Sequence, residues 1–345
     1  MMRSKTKLPL VLSIWLSFTL LLFADCNGQK AFGTRYLSLQ KTISLPGVKG
    51  RIDHLSINLK DQVVYIAALG NNTVEVVNLK TGKDIHSIQG MHEPQGVAYI
   101  PQNHELFVAN GENGDCYFYD AHTYEKTATV HLSSDADDAA YDSTTRRIYV
   151  GYGGGGIAVI DADSHKKVGD YPLPAHPERF QIDKKNQLIY VNVPNAGQID
   201  VIDMKRGGTV RKWENGLLSL PKFNFPMALD SVHDRLFVGY RLPAKLAVFD
   251  SQNGKVITTG AIEGDSDDMY YDYQTGRIYV SSGRGSISIF AQKDADTYRK
   301  IANIPTRNGA RTSLLVPELH LYLLAERASG GKVAQLLVYK TIKRP

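Results

Sequence analysis

Val64-Tyr65-Ile66-Ala67, the turn Gly70-Asn71-Asn72 and the run Val74-Glu75-Val76-Val77 read as two short strands joined by a tight hairpin. The apolar-aromatic-apolar core of the first strand recurs along the chain. It returns as Leu106-Phe107-Val108, Ile148-Tyr149-Val150, Ile189-Tyr190-Val191, Leu236-Phe237-Val238, Ile278-Tyr279-Val280 and Leu321-Tyr322-Leu323. Successive central aromatics lie 42, 42, 41, 47, 42 and 43 residues apart. Seven copies at one spacing mark a repeat architecture.

Each copy carries four strand signals. A short run such as His54-Leu55-Ser56-Ile57 or Met227-Ala228-Leu229 comes first, and the runs end at a turn residue: Asn58, Asp142, Asp183, Asp230 or Asp272. The aromatic strand follows, then a Gly- or Asn-rich hairpin such as Gly111-Glu112-Asn113-Gly114, Asn195-Ala196-Gly197 or Gly283-Arg284-Gly285. A third strand comes next (Ile157 to Ile160, Ile199 to Ile202, Leu246 to Phe249), and a turn such as Asn253-Gly254-Lys255 leads to a fourth. Four antiparallel strands per repeat, seven times over, predict an all-β, seven-bladed β-propeller. The seventh repeat ends after its third strand, near Val333 to Tyr339. Residues 36–45 precede the first blade as other fourth strands precede theirs, so the ring is expected to close with an N-terminal strand.

The 345 residues are 43% hydrophobic and 22% charged, which excludes a mainly disordered chain, and two Cys exclude a disulfide scaffold. Arg3, Lys5 and Lys7 precede an apolar run from Leu8 to Phe23 and the small residue Ala24. That is the pattern of a secretory signal peptide, and the run is shorter than the ~20 residues a spanning helix needs. Leu21 to Gly28 resembles a bacterial lipobox with Cys26 as lipidation site and new N-terminus, although Asp25 stands where a small residue is expected. The expected organisation is a signal peptide over 1–25, a linker over 26–34, one propeller over 35–341 and a tail over 342–345. Export follows, to the periplasm or the outer membrane as a lipoprotein, with membrane contact only through the lipid. Three basic residues and one acid lie in 1–25, so a chain starting at Cys26 carries +3 instead of +5. That charge is too weak and scattered to favour nucleic acid.

The stretch Val64 to Lys83, and Leu106-Phe107-Val108-Ala109-Asn110 with its hairpin, resemble the YVTN-type propeller repeat. From residue 35 the chain looks like a YncE-type secreted seven-bladed propeller. The resemblance implies a binding protein, expected here as a monomer, and carries no defined catalytic set. Related groups fail on their required residues. A c-type haem needs Cys-x-x-Cys-His, and Cys26 and Cys116 are isolated. Quinone-cofactor propellers carry a Trp in nearly every blade, whereas Trp213 is the one Trp after the leader. No repeat ends in Trp-Asp, and the Gly153–Gly156 run lacks the Lys-Ser/Thr of a phosphate loop. Neither haem nor a quinone cofactor is expected.

Aligning the blades on the central aromatic exposes the least ordinary feature. Eleven residues earlier stand His54, Gly96, Asp138, Arg179, Pro226, Asp268 and Arg311, preceded by Asp53, Gln95, Asp137, Glu178, Phe225, Asp267 and Ala310. In a propeller this is where the first strand enters the central channel. Six carboxylates against two arginines predict an acidic mouth near −4 with His54 neutral. Asp53, His54, Gln95, Asp137, Asp138, Glu178, Arg179, Asp267, Asp268 and Arg311 are therefore the expected ligand-binding residues, for a small molecule or a protein. Asp138, Asp268 and His54 together would suit a hard or borderline divalent cation. The arginines would neutralise the acids or grip an anionic group. The competing reading is that each Asp caps its own turn. His92 and His176 lie slightly earlier, each near a Pro, and read as parts of rigid turns. Binding through this mouth is the first functional expectation. A metal-assisted hydrolase or lyase using the same carboxylates and His54 is the alternative.

Overall fold

The computed structural model describes residues 35–214 and 223–343. The expected signal peptide and linker, with Cys26, lie outside the described residues. Seven four-stranded antiparallel sheets form the blades of a β-propeller. The first strand, β1, is Leu37–Leu45. Blade 1 holds β2 to β5 (55–88), blade 2 β6 to β9 (94–131), blade 3 β10 to β13 (139–172) and blade 4 β14 to β17 (180–214). Blade 5 holds β18 to β21 (224–261) and blade 6 β22 to β25 (266–305). Blade 7 takes β26 to β28 (313–341) and is completed by β1, in the order β1-β28-β27-β26.

The closing pair is extensive. Leu37 faces Thr341 and Leu45 faces Ala334, with one irregularity between Leu39 and Lys41. Leu37, Ile43 and Leu45 are buried by it. The expected N-terminal closure is therefore the one the chain adopts.

Burial explains the sequence pattern. Second strands are enclosed by neighbouring blades on both faces, so Val63–Ala68, Glu105–Asn110 and Leu188–Val193 are buried at every position. Such strands read as continuous apolar runs without alternation. All seven central aromatics are buried, from Tyr65 to Tyr322. They meet aromatic neighbours between blades: Tyr65 stacks on Tyr99 at 5.9 Å, and Tyr279 meets Tyr322 at 5.3 Å. Fourth strands form the outer edge and carry charge, as in Lys83–Ile88, which keeps a solvent-exposed edge from pairing with another chain.

The turn residues at the ends of the first strands act as expected. Asp142 Oδ1 accepts the Thr144 amide at 3.0 Å, Asp183 Oδ1 the Asn186 amide at 3.1 Å, and Asp272 Oδ1 the Gln274 amide at 3.0 Å. Asn58 Oδ1 accepts the Asp61 amide at 3.2 Å. These Asx turns sit on the face opposite the channel mouth, and they supply a standard against which the mouth acids can be compared.

Candidate functional site: the channel mouth

The connections entering the first strands converge on one bowl of about 480 Å³. Asp53, His54, Gln95, Asp137, Asp138, Glu178, Arg179, Asp267 and Arg311 line it. Asp268 lies one layer beneath, fully buried. The register argument thus places all ten residues at one end of the channel, because equivalent positions in a closed ring fall on one circle.

The mouth acids do not cap their own turns in the manner of Asp142 or Asp272. Asp53 Oδ2 accepts from Arg51 Nη2 at 3.2 Å. Asp267 takes Arg311 Nε at 2.9 Å and also pairs with Arg241. Asp137 stands 3.9 Å from His54 Nε2 and 3.7 Å from His176 Nε2. The second residue of each Asp-Asp pair behaves differently. Asp138 Oδ2 accepts the amide of Phe180 at 3.4 Å, and Asp268 Oδ2 accepts that of Ser313 at 2.8 Å. Those amides open the first strands of the next blades, so Asp138, at the bowl floor, and Asp268, beneath it, tie neighbouring blades together, while Asp137 and Asp267 face the bowl without such a bond.

Beneath the bowl the channel is plugged by charge. Arg179 Nη1 donates to Asp138 Oδ1 at 3.0 Å and stands 3.6 Å from Asp268 Oδ1. His54 Nδ1 lies 3.6 Å from the same Asp268 oxygen. The proposed cation ligands Asp138, Asp268 and His54 are therefore gathered around a guanidinium, which supplies positive charge where a cation would. Among the described residues, no three His, Cys, Asp or Glu side chains are arranged to hold a metal ion.

Burial and neighbours set the proton affinities. Burial alone would raise Asp268, yet the His54 contact and the Arg179 charge hold its carboxyl below the usual range. Burial works against charge on His54, but Asp268, Asp53 and Asp138 raise its pKa well above the ordinary value. Burial, with Asp267 and Asp137 nearby, pushes Asp53 up to about 7 against the pull of His54. Glu178 is pushed up to about 8 by burial and by the charges of Asp137 and Asp267. His176 rises to about 9 despite burial, held by Asp137, the Gly153 carbonyl and Asp135.

Several wall residues lie outside the aligned pair. Arg51, Glu93, Asp135, His176 and Arg241 also line the bowl. His176 is part of the wall as well as of a turn: its Nδ1 bonds the Gly153 carbonyl at 2.8 Å. His92 is not among the lining residues and instead faces Glu112 at 3.4 Å. Arg241, at the end of β19 (Arg235–Arg241), stacks 3.5 Å above the Phe225 ring and pairs with Asp267. With Asp268 beneath it, the mouth holds eight carboxyls against four guanidiniums and two imidazoles, so its formal charge is −4 with both imidazoles neutral, as expected, and −2 with both protonated. The missed cations come from second-to-third hairpins and from residues two or three positions before the aligned pair. Arg51, Glu93, Asp135 and His176 share one repeat position, two residues before the aligned pair, so the same alignment carried slightly further back would have found them; Arg241 alone has no such signal.

No family model and no curated protein sequence matches the chain. Solved structures do match in shape. A chain in "Crystal Structure of Mitotic Checkpoint Complex" superposes with a TM-score of 0.71 at 15% identity, covering 100% of this chain and 99% of that one. A chain of the Kuenenia stuttgartiensis hydrazine synthase does so with a TM-score of 0.71 at 16% identity, covering 88% of this chain and 99% of that one. At such identities the likeness is one of fold, and the fold it shows is the β-propeller.

Proposed function

We propose that this protein is an exported propeller of the YVTN-repeat kind that binds a ligand at its channel mouth. The ligand is a small molecule or a protein side chain carrying a cationic group. The observation that supports this reading is Glu178. It faces the bowl beside Asp137 and Asp267, and unlike those two it has no ion-pair partner among the described residues. A positive group placed there would let Glu178 and Asp53 ionise, and their protons would leave as it binds.

Calorimetry of the purified protein at neutral pH, in buffers of different ionisation enthalpy, tests this. The panel is spermidine, arginine methyl ester, Ca²⁺ and a set of neutral and anionic metabolites. Binding of an amine with proton release, lost in Glu178→Gln, is the expected result. Binding of anions alone would overturn it, and Ca²⁺ binding would instead favour the divalent-cation reading.

A second reading rests on the same residue. A carboxyl that keeps its proton at neutral pH beside an open bowl is what general-acid catalysis requires, so hydrolase or lyase chemistry is the alternative. Turnover of a panel of esters, lactones and glycosides, abolished by Glu178→Gln, would establish it. Export and lipid attachment at Cys26 belong to the same proposal. Cys26→Ala is expected to move the protein from the membrane fraction to the soluble envelope fraction, and an unchanged distribution would reject the anchor.

A further inference from the structure

Arg235 and Arg277 occupy the same place in consecutive blades. Each opens a second strand, β19 and β23 (Arg277–Ser282), and each faces an Asp across the first hairpin, Asp230 and Asp272. Arg235 is fully provided for. Its Nε reaches the Ala295 carbonyl at 3.1 Å and Asp296 at 3.0 Å, and its Nη2 reaches Asp296 at 2.6 Å. Both acceptors lie on the turn joining β24 (Ser286–Gln292) and β25 (Tyr298–Pro305) of the next blade.

Arg277 looks toward the corresponding place in blade 7, and there no turn exists. The third strand there, β28 (Ala334–Thr341), belongs to the C-terminal end of the chain and the fourth, β1, to the N-terminal end. The two ends are clasped by the Ile342 amide donating to the Tyr36 carbonyl at 3.0 Å. Arg277 Nη1 donates to the Ile342 carbonyl at 2.5 Å, and the guanidinium lies 4.9 Å from the Tyr36 ring centroid. Among the described residues no carboxylate replaces Asp296. The side chain is 2% exposed, and its Nε has no hydrogen-bond partner among the described residues. Asp272 does not serve, because its oxygens take the Thr275 hydroxyl at 2.8 Å and the Gln274 amide at 3.0 Å.

A pocket of about 530 Å³ opens at this seam, lined among others by Arg35, Tyr36, Arg277, Lys293, Arg299 and Ile301. No acid lines it among the described residues. Asp294 is next to Lys293 in sequence and is itself bonded by Thr297. A buried guanidinium with an open donor, three further cations and an apolar wall form a receptor for an oxyanion attached to an apolar group. We propose that this seam pocket, on the face opposite the mouth, binds a phosphate or phosphodiester group in the position that Asp296 fills for Arg235. A free phosphorylated metabolite and an anionic lipid headgroup share that chemistry.

The test measures inorganic phosphate by calorimetry and co-flotation with phosphatidylcholine vesicles made with and without phosphatidylglycerol. Lys293 and Arg299 are exposed, so Lys293→Gln with Arg299→Gln leaves the fold intact, while Arg277→Gln removes the buried donor and is checked first by its melting curve. Phosphate binding weakened about tenfold or more in the double variant supports the site with a free anion as ligand. Flotation that needs phosphatidylglycerol and is lost in the double variant supports it with a headgroup as ligand. Absence of both, or binding unchanged in the double variant, overturns the proposal. So does phosphate binding that emerges only when residues 344–345 are deleted, since that segment would then be the occupant.

Discussion

Arg179 of blade 4 reaches across the channel to Asp268 of blade 6, with Nη1 3.6 Å from Oδ1. Residues two blades apart come this close only because the ring is narrow beneath the bowl, and the contact makes Asp268 part of the scaffold. Asp268→Asn leaves Arg179 and His54 short of a buried counter-charge and should cost about 3 kcal/mol. Asp267→Asn, whose side chain is 13% exposed at the bowl and whose arginines keep Asp265 at 2.8 Å from Arg311, should cost less, about 1 kcal/mol. Urea unfolding of the two variants provides the comparison. Equal costs would show that the two adjacent aspartates do not divide their roles.

The bowl predicts a stability that declines through neutrality. Glu178 and Asp53 have ordinary values of 4.5 and 3.8 and folded values of about 8 and about 7, so between those limits the folded state holds protons that the unfolded state has lost. Stability then falls as pH rises across that window. His54 acts in the same direction: its contribution is complete below its ordinary 6.5 and is lost as pH rises through its higher folded value. Asp268 opposes them only in acid, where its contribution is lost as pH falls below 3.8 toward its depressed value. Glu178→Gln should flatten the decline and, at alkaline pH, stabilise the protein on the order of 1 kcal/mol. Melting temperatures from pH 5 to 9 read this out, and a parent curve that rises toward alkaline pH would contradict it.

Gly96 holds the repeat position that carries charge in His54, Asp138, Arg179, Asp268 and Arg311. A Cβ there would lie 2.1 Å from the Asp137 carbonyl oxygen, which is backbone and has nowhere to move without carrying Asp137 along. Gly96→Ala should therefore destabilise the protein by roughly 2 kcal/mol and displace the Asp137 carboxyl from His176. The readout is paired: a thermal melt, and the His176 titration by NMR, which should move down from about 9 toward its ordinary value.

Closure of the ring by β1 has its own signature. Ile43 is 2% exposed and packs with Leu336 and Val338 in the core of blade 7. Ile43→Ala should cost about 2–4 kcal/mol while unfolding stays a single transition. Removal of residues 35–47 should abolish the cooperative transition altogether, because blade 7 would keep β26 to β28 and lose its outer strand. A truncated chain that melts like the parent would reject the closure.

The blades were legible because their constraint repeats: an aromatic enclosed on both sides, from Tyr65 to Tyr322, returns at nearly one interval. The ring of His54, Asp138 and Arg311 was legible for the same reason, since register alone puts them on a circle. Direction and depth were not. Asp137 and Asp138 are neighbours in sequence, yet one faces the bowl and the other bonds the Phe180 amide, a difference set by where the next blade begins. Arg241 went unseen because it reaches the mouth from a second-to-third hairpin, and Arg51 because the aligned pair stops two residues short of the position it shares with Glu93, Asp135 and His176. The seam around Arg277 was hidden more deeply, because it depends on a turn that six blades have and the seventh lacks.

That seam also fixes how the propeller is presented. The backbone enters at Tyr36 and leaves at Ile342 side by side, on the face that carries the Asx turns, with the bowl at the far end of the channel. Whatever is attached ahead of residue 35 or after residue 343, whether a lipid, a surface or a fused protein, holds the molecule by its underside. The bowl then lies at the opposite end of the channel from the attachment.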